Sequence, residues 1–131
     1  MHILNLPENW QSIVAAAADL CLKPFKHSVI EQELNIDSHQ SDVSKFDLIL
    51  KIECRDKNGI RCPQHDIDLE IYRSGDEFNL TLFRSAKSDS PILWHGKHPV
   101  WIDGDTGKRC QPPVDNSLLE SFARRLRAVL M

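Results

Sequence analysis

Apolar residues recur at every second position through the middle of the chain, which is the period of a β-strand with one buried face. From Phe46 to Cys54 they alternate with Asp47, Lys51 and Glu53, and the same alternation returns in DIDLEIYR and FNLTLF. The SGDE between these last two segments suits a tight turn, so they are predicted to form an antiparallel hairpin. PILW and PVWID predict two further strands on either side of HGKH.

Apolar residues follow a helical spacing near both ends of the chain. The N-terminal helix is predicted to start at a capping box formed by Asn5 and Glu8 and to end at Pro24. Its apolar stripe comprises Trp10, Ile13, Val14, Ala17, Leu20 and Cys21. The C-terminal helix is predicted to start at the S-x-x-E box of Ser117 and Glu120. Its apolar stripe comprises Leu119, Phe122, Leu126, Val129 and Leu130.

The order of the predicted elements is helix, several consecutive strands, helix, which is typical of the α+β class. We therefore expect a single curved antiparallel β-sheet of four to five strands with the N- and C-terminal helices packed on one face. Residues 25–44 are ambiguous: SVIEQELNI fits either an edge strand or a short helix, and both options remain open, whereas DSHQSDVS is predicted to be a polar loop. A length of 131 residues without repeats or long linkers predicts a single domain over residues 1–131.

Composition and charge narrow the class of protein and its compartment. With a formal net charge of -3 the chain is not a net basic domain, which nucleic-acid binding favours, so nucleic acid is not expected as a partner. The longest apolar run, IVAAAADLCL, is shorter than the about 20 residues of a membrane span and contains Asp19. No membrane association is therefore expected. The N-terminus carries no secretory signal, which predicts a cytoplasmic protein with four free cysteines.

The stretch WIDGDTGKRC partly matches three functional motifs. The Asp-Thr-Gly triplet at 105–107 occurs in aspartic proteases, but Lys108 and Arg109 follow it where an apolar flank is needed. The required residues of a phosphate-binding loop are missing, and no terminal glutamate completes a calcium loop. We therefore predict a hairpin turn, with Gly104 and Gly107 in the left-handed conformation.

Two Cys/His pairs are candidate metal ligands. Cys62 and His65 form C-x-x-H, while His95 and His98 form H-x-x-H. At these spacings two ligands of one turn can reach a single ion, and zinc is the metal that such a set would hold. No other cofactor is predicted. Exposed turn residues are the more common explanation for short pairs of this kind, and that explanation stays open.

A second candidate chemistry is a thiol nucleophile at Cys62 or Cys110 paired with a histidine. No glycine-rich oxyanion loop accompanies either thiol, so a strand or core position is the better interpretation. Cys21 and Cys54 lie on the apolar faces of their elements and are predicted to be core residues. We therefore assign no catalytic residue.

Basic and aromatic residues of the C-terminal part form a candidate interaction patch, since connections between elements often carry function. The patch comprises Trp94, His95, His98, Trp101, Lys108, Arg109, Arg124 and Arg127. We expect it to bind a protein partner, and a homodimer is one option.

LWHGKHPVWIDGDTGKRCQPP and LESFARRLRAVL, in the C-terminal third, resemble small uncharacterised proteins of cyanobacteria. The resemblance implies a cytoplasmic protein of unassigned function and carries no active-site residues. The main hypothesis is therefore a non-catalytic protein-interaction or regulatory module. The alternative is a metal-binding or thiol-dependent enzyme that uses the Cys62/His65 and His95/His98 pairs.

Overall fold

A computed structural model of the protein describes residues 6–32, 48–86 and 91–130. Within these residues the helices are α1 (Trp10–Cys21) and α2 (Asn116–Leu130), and a short 3-10 turn covers Pro63–His65. The strands are β1 (Lys26–Glu31), β2 (Leu48–Arg55), β3 (Ile67–Ser74), β4 (Glu77–Arg84), β5 (Ile92–His95) and β6 (Pro99–Ile102). Phe46 and Asp47 of the predicted first strand, and residues 33–44 of the ambiguous segment, lie outside the described residues.

The strands form one antiparallel sheet in which each strand pairs with the next along the chain, from β1 to β6. The α+β class is confirmed, as are the β3–β4 hairpin and the two short strands β5 and β6. The predicted number of four to five strands is wrong, because the described residues contain six. The additional strand is β1, which lies in the ambiguous segment and pairs with β2. Four of its six residues are exposed, so apolar periodicity alone could not identify it as a strand.

One face of the sheet forms the core. Leu50, Leu69, Leu82 and Leu93 are fully buried, and each is the register partner of the next across neighbouring strands. Because register partners point to the same side of a sheet, this row lines one face. The buried residues of both helices belong to the same cluster as this row. In α1 and α2 they are Val14, Ala17, Ala18, Leu119, Phe122, Ala123, Leu126 and Leu130.

The start of α1 differs from the prediction. The helix begins at Trp10 after Asn9, whose side chain makes no capping hydrogen bond. Glu8 therefore precedes the helix, and Asn5, the other member of the predicted capping box, lies outside the described residues. Leu20, which the helical spacing placed on the buried stripe, is 49% exposed, because the buried stripe runs through Val14, Ala18 and Leu22 and Leu20 lies off it.

The start of α2 also differs from the predicted capping box. The helix begins at Asn116, so Ser117 lies inside its first turn. The Glu120 carboxylate accepts a hydrogen bond from Nε1 of the buried Trp101 (2.7 Å), which ties α2 to β6. Neither helix of the described residues is long and apolar enough to cross a membrane.

The predicted turn after β6 is confirmed. The Asp103 amide donates to the carbonyl of Lys108 (2.8 Å), and its carboxylate accepts the amides of Asp105 (2.7 Å) and Thr106 (3.1 Å). Gly107 has a φ of +72°, which an L-residue with a side chain rarely adopts. The other glycine of the motif has no positive φ, so only one of the two predicted left-handed positions is right.

Candidate functional site

A cavity of about 430 Å³ lies where the C-terminal end of α1, strand β1, the end of β2 and the start of α2 meet. Its volume falls in the range of small-molecule sites, roughly 300–1,000 Å³. The apolar part of its wall includes Leu22, Phe25, Leu118 and Leu119, and its polar part includes His27. We refer to this space, bounded by these residues, as the His27 cavity.

His27 is the polar group buried most deeply in the wall of the cavity. Its side chain is 2% exposed, and its Nδ1 lies 2.9 Å from a carboxylate oxygen of Asp19. Burial lowers the pKa of His27 below its usual value, although the hydrogen bond to Asp19 opposes the shift. A carboxylate can only accept, so Nδ1 carries the proton and Nε2 of the neutral ring is an acceptor. Among the described residues Nε2 has no hydrogen-bond partner.

The register between β1 and β2 explains why His27 reaches the cavity. His27 is the register partner of Cys54, and both side chains line the cavity. Cys54 is 1% exposed, and burial, with smaller contributions from Cys62 and Asp66, raises its pKa to about 11. The thiol therefore stays protonated at neutral pH, which is the opposite of what a nucleophile needs. The prediction that Cys54 is a core residue is confirmed.

A buried carboxylate fixes the end of β2 beside the cavity. Asp66 is 1% exposed and accepts hydrogen bonds from the Cys54 amide (2.8 Å) and from both terminal nitrogens of Arg61 (2.8 Å each). Burial alone would raise the pKa of Asp66, but the hydrogen bonds from Arg61 and Cys54 outweigh it and lower the pKa. The alternation of DIDLEIYR placed Asp66 on the solvent side. That prediction is wrong because β3 begins only at Ile67.

A second ion pair, between Arg84 and Asp115, belongs to the lining of the cavity. Arg84, at the end of β4, donates to the carboxylate of Asp115 (2.6 Å) and to the carbonyl of His65 (3.1 Å). Asp115 directly precedes α2, and its carbonyl accepts the amide of Leu118 in the first turn. The His65 ring packs against Phe25 with a centroid distance of 4.6 Å. Arg84 therefore joins three segments that are distant in the sequence.

The two predicted metal-binding pairs lie on different parts of the fold. Cys62 and His65 are on the β2–β3 connection, and the His65 ring contributes to the cavity wall. His95 is buried in β5 with its Nδ1 3.1 Å from the carbonyl of Gly96, while His98 is exposed between β5 and β6. Within the described residues no group of three or more His, Cys, Asp or Glu side chains could hold a metal ion. Zinc binding by these pairs stays the alternative hypothesis, which elemental analysis tests.

The members of the predicted interaction patch are also spread over the fold. Trp94 is half-buried and donates to the Tyr72 hydroxyl (2.7 Å), whereas His95 and Trp101 are buried. Arg127 is half-buried and donates to the Phe78 carbonyl, while the other basic members, Lys108, Arg109 and Arg124, are exposed. A shallow depression of about 500 Å³ brings together Trp94, His98 and Arg109. Binding of a protein there stays a prediction.

Sequence patterns could not reveal the residues of the cavity, or Asp19 that holds His27, because each looks like a surface residue in its local context. Asp19 interrupts an apolar helix, His27 lies in the ambiguous segment, and Arg84 follows a strand. One feature of the sequence could have pointed to them: each lies near the end of a helix or strand. In an antiparallel sheet, the ends of neighbouring strands bring distant segments of the chain together. Pairing them required the register of the whole sheet.

The fold and the cavity define a small α+β protein with a six-stranded meander sheet among its described residues. The chain belongs to a protein family described as a domain of unknown function, DUF8659, which matches residues 11–129. The expectation of an uncharacterised family is therefore confirmed, and the match extends beyond the C-terminal third of the chain, while an origin in cyanobacteria stays a prediction. No curated protein and no solved structure matches the chain.

Proposed function

We propose that the protein is a non-catalytic regulatory module that binds a small molecule in the His27 cavity. The observation that carries the proposal is the buried imidazole of His27, whose Nε2 has no partner among the described residues. His27 lines the cavity, so a ligand can pair with Nε2 as a donor to the neutral ring or as an acceptor from the protonated ring, and such a hydrogen bond contributes about 0.5–1.5 kcal/mol. The Asp19 carboxylate fixes the ring and thereby presents Nε2 in one orientation.

The chemistry of the cavity supports binding rather than catalysis. The thiol of Cys54 has its pKa raised to about 11 by burial, and no hydrogen bond links it to His27. The guanidinium of Arg84 is held by Asp115 and by a backbone carbonyl. These groups are suited to recognising a molecule, and none of them is an activated nucleophile.

The test is a fragment screen with cavity-blocking variants. Leu118 lines the cavity and is 45% exposed, so Leu118→Trp fills the mouth without disturbing the core. Ser121→Trp, one turn further along α2 on its exposed face, is the matched control. Protein-observed NMR should find fragments that shift amides around the cavity, and Leu118→Trp should weaken them at least about tenfold while Ser121→Trp does not. The proposal would be overturned by a screen that finds no binder, or by fragments whose affinity is the same for Leu118→Trp and the wild type.

A second candidate is that a protein partner binds at the depression formed by Trp94, His98 and Arg109. The half-buried Trp94 favours it, since tryptophan often anchors protein interfaces. Arg109→Glu should abolish capture of a partner, while Arg124→Glu, an exposed charge on α2, should leave capture intact. The opposite result would move the interface to α2, and no effect of either variant would remove this candidate.

We also propose that residues 1–131 form one domain that works in the cytoplasm. Both helices contribute to the same core cluster as the sheet, which supports one domain. All four cysteines lie in the described residues and are free, which is typical of a reducing compartment. Limited proteolysis that released a stable smaller fragment would contradict the single domain.

A further inference from the structure

We propose that the ligand of the His27 cavity is a small apolar molecule that carries one carboxylate, an inference that rests on the proposed function and names the ligand class. The lining of the cavity combines apolar side chains with Arg84 and His27, which are close enough for the charge of Arg84 to act on the His27 ring. A lining with an apolar part and a basic part matches a molecule with an apolar body and a single negatively charged group.

The apolar wall would hold the body of the ligand. Leu22, Phe25, Leu118 and Leu119 come from the two ends of the sequence and line the same cavity. Leu22 and Leu119 are almost fully buried, whereas Leu118 is 45% exposed at the surface end. A ligand body that covers Leu118 removes apolar surface from water, which contributes favourably to binding.

The polar part of the lining offers donors for a carboxylate. Arg84 has five N–H donors, and the structure shows two of its hydrogen bonds, to Asp115 and to the carbonyl of His65. The Arg84 side chain is 17% exposed, so its remaining donors are shielded from bulk water. A guanidinium in the lining of an apolar cavity, with donors that are unpaired among the described residues, favours a carboxylate, which it binds by charge-assisted hydrogen bonds. Lys23 lies at the rim and adds a second cation.

His27 couples carboxylate binding to proton uptake. The charged groups that act on its ring are Asp19 from α1, Arg84 from β4 and Asp66 from the segment before β3. Burial and Arg84 lower the pKa of His27, whereas Asp19 and Asp66 raise it. A ligand carboxylate beside Arg84 adds another negative charge near the ring and favours protonated His27. The protonated ring then donates from Nε2 to the ligand and from Nδ1 to Asp19.

The charges of the lining favour a ligand with one negative charge over a ligand with two. Lys23 and Arg84 supply two positive charges to the lining of the cavity, and Asp115 supplies one negative charge. Protonated His27 is neutralised by Asp19. One positive charge therefore remains, which a monocarboxylate neutralises, whereas a dianion such as a phosphate monoester leaves an excess negative charge in a partly apolar site.

The test compares 3-phenylpropionate with its neutral analogue 3-phenylpropanamide by isothermal titration calorimetry at about pH 7. We expect the carboxylate to bind at least about tenfold more tightly, which is the contribution expected of a charge-assisted hydrogen bond. Titrations in two buffers with different heats of ionisation should show proton uptake with the carboxylate and none with the amide. A phosphate monoester, phenyl phosphate, should bind more weakly than the carboxylate.

Two variants of opposite effect identify the group that binds the carboxylate. Arg84→Met should remove the preference for the carboxylate, while Arg73→Met, an exposed arginine on β3, should retain it. Asp115→Asn should strengthen carboxylate binding several-fold, because the competing carboxylate on Arg84 loses its charge. The amide should bind Asp115→Asn as it binds the wild type. Asp115 is 34% exposed, so this variant remains informative even where Arg84→Met does not fold.

The possible failures separate the ligand class from the proposed function. Equal binding of the acid and the amide, both blocked by Leu118→Trp, would overturn the carboxylate and leave a ligand cavity. Binding of neither probe to the wild type would overturn the carboxylate class. It would overturn the cavity as well if the wider fragment screen also found no binder. Carboxylate binding that survives Leu118→Trp would lie outside the cavity, and a preference for the carboxylate that survives Arg84→Met would not depend on Arg84. Either result would overturn this inference.

Discussion

Replacing Asp66 with asparagine removes the charge of a buried carboxylate and keeps the size of the side chain. In the folded protein this carboxylate is 1% exposed and accepts three hydrogen bonds of 2.8 Å, two from Arg61 and one from the Cys54 amide. The asparagine oxygen can still accept from the Cys54 amide, so the variant loses mainly its interactions with Arg61. Its amide group also places a donor where the guanidinium donates.

The magnitude follows from the burial of the two partners. Removing one member of a buried ion pair costs about 3–5 kcal/mol, because the other charge is left without compensation. Arg61 is 30% exposed and can be partly rehydrated, which reduces this cost. We therefore expect Asp66→Asn to lower the free energy of unfolding by about 2–3 kcal/mol. For a chain of this length, that corresponds to a decrease in Tm of about 10 °C.

Urea denaturation followed by circular dichroism measures this difference. Asp68→Asn is the matched control, since Asp68 is half-buried on β3 and its only side-chain hydrogen bond among the described residues is a 3.5 Å contact with Gln32. The control should change the free energy of unfolding by no more than about 0.5 kcal/mol. Equal stability of the two variants would refute the conclusion that the Asp66 ion pair holds the end of β2.

The same ion pair predicts a dependence of stability on pH. The hydrogen bonds from Arg61 and Cys54 outweigh burial and lower the pKa of Asp66 in the folded state. A group with a lowered folded pKa contributes stability above its unfolded pKa of about 4, and the contribution is lost as the pH falls through the folded pKa. The stability gap between wild type and Asp66→Asn should therefore be constant between about pH 5 and 7 and shrink below about pH 4. A gap that stays constant down to about pH 2 would contradict the lowered pKa.

Four further predictions concern the rest of the fold. Gly96→Ala places a Cβ 2.8 Å from the Trp94 ring, so urea denaturation should show a loss of about 1–3 kcal/mol; an unchanged midpoint would count against this packing. Trp101→Phe removes the indole N–H that donates to the Glu120 carboxylate (2.7 Å), so urea denaturation should show a decrease of about 1–2 kcal/mol in the free energy of unfolding. An unchanged free energy of unfolding would contradict this hydrogen bond. Cys54, with its raised pKa, should react with iodoacetamide only on unfolding, and peptide mass spectrometry of the native protein would detect any earlier labelling. Elemental analysis of untagged protein should find no stoichiometric zinc or iron, and about one ion per chain would instead support the alternative metalloenzyme.

The strands were predictable because the period of apolar residues is a local property of the sequence. Leu69, Ile71, Leu80 and Leu82 alternate with polar residues, and all four are fully buried in the β3–β4 hairpin. The core of α2 was predictable for the same reason, since Phe122 and its neighbours recur at helical spacing. Strand β1 was not predictable, because its inward positions include His27, whose polarity hides the alternation.

The candidate site could not be predicted because its interactions are long-range. Arg84 and Asp115 are 31 residues apart, and each would be expected on the surface from its local context. Asp66 was assigned to the solvent side by continuing the alternation of β3 one residue too far. Its burial depends on Arg61, which a turn brings back beside it. Only the register of the sheet shows which polar residues at the ends of elements meet.

The most direct test of a ligand in the His27 cavity is an NMR titration of protein labelled with ¹⁵N in its histidine rings. The tightest fragment of the screen is added to saturation, and the ring nitrogens of His27 and His98 are followed. The buried His27 Nε2 should shift with a saturable dependence on ligand, while the exposed His98 should not. A bound ligand that leaves the His27 resonances unchanged would contradict a ligand site in this cavity.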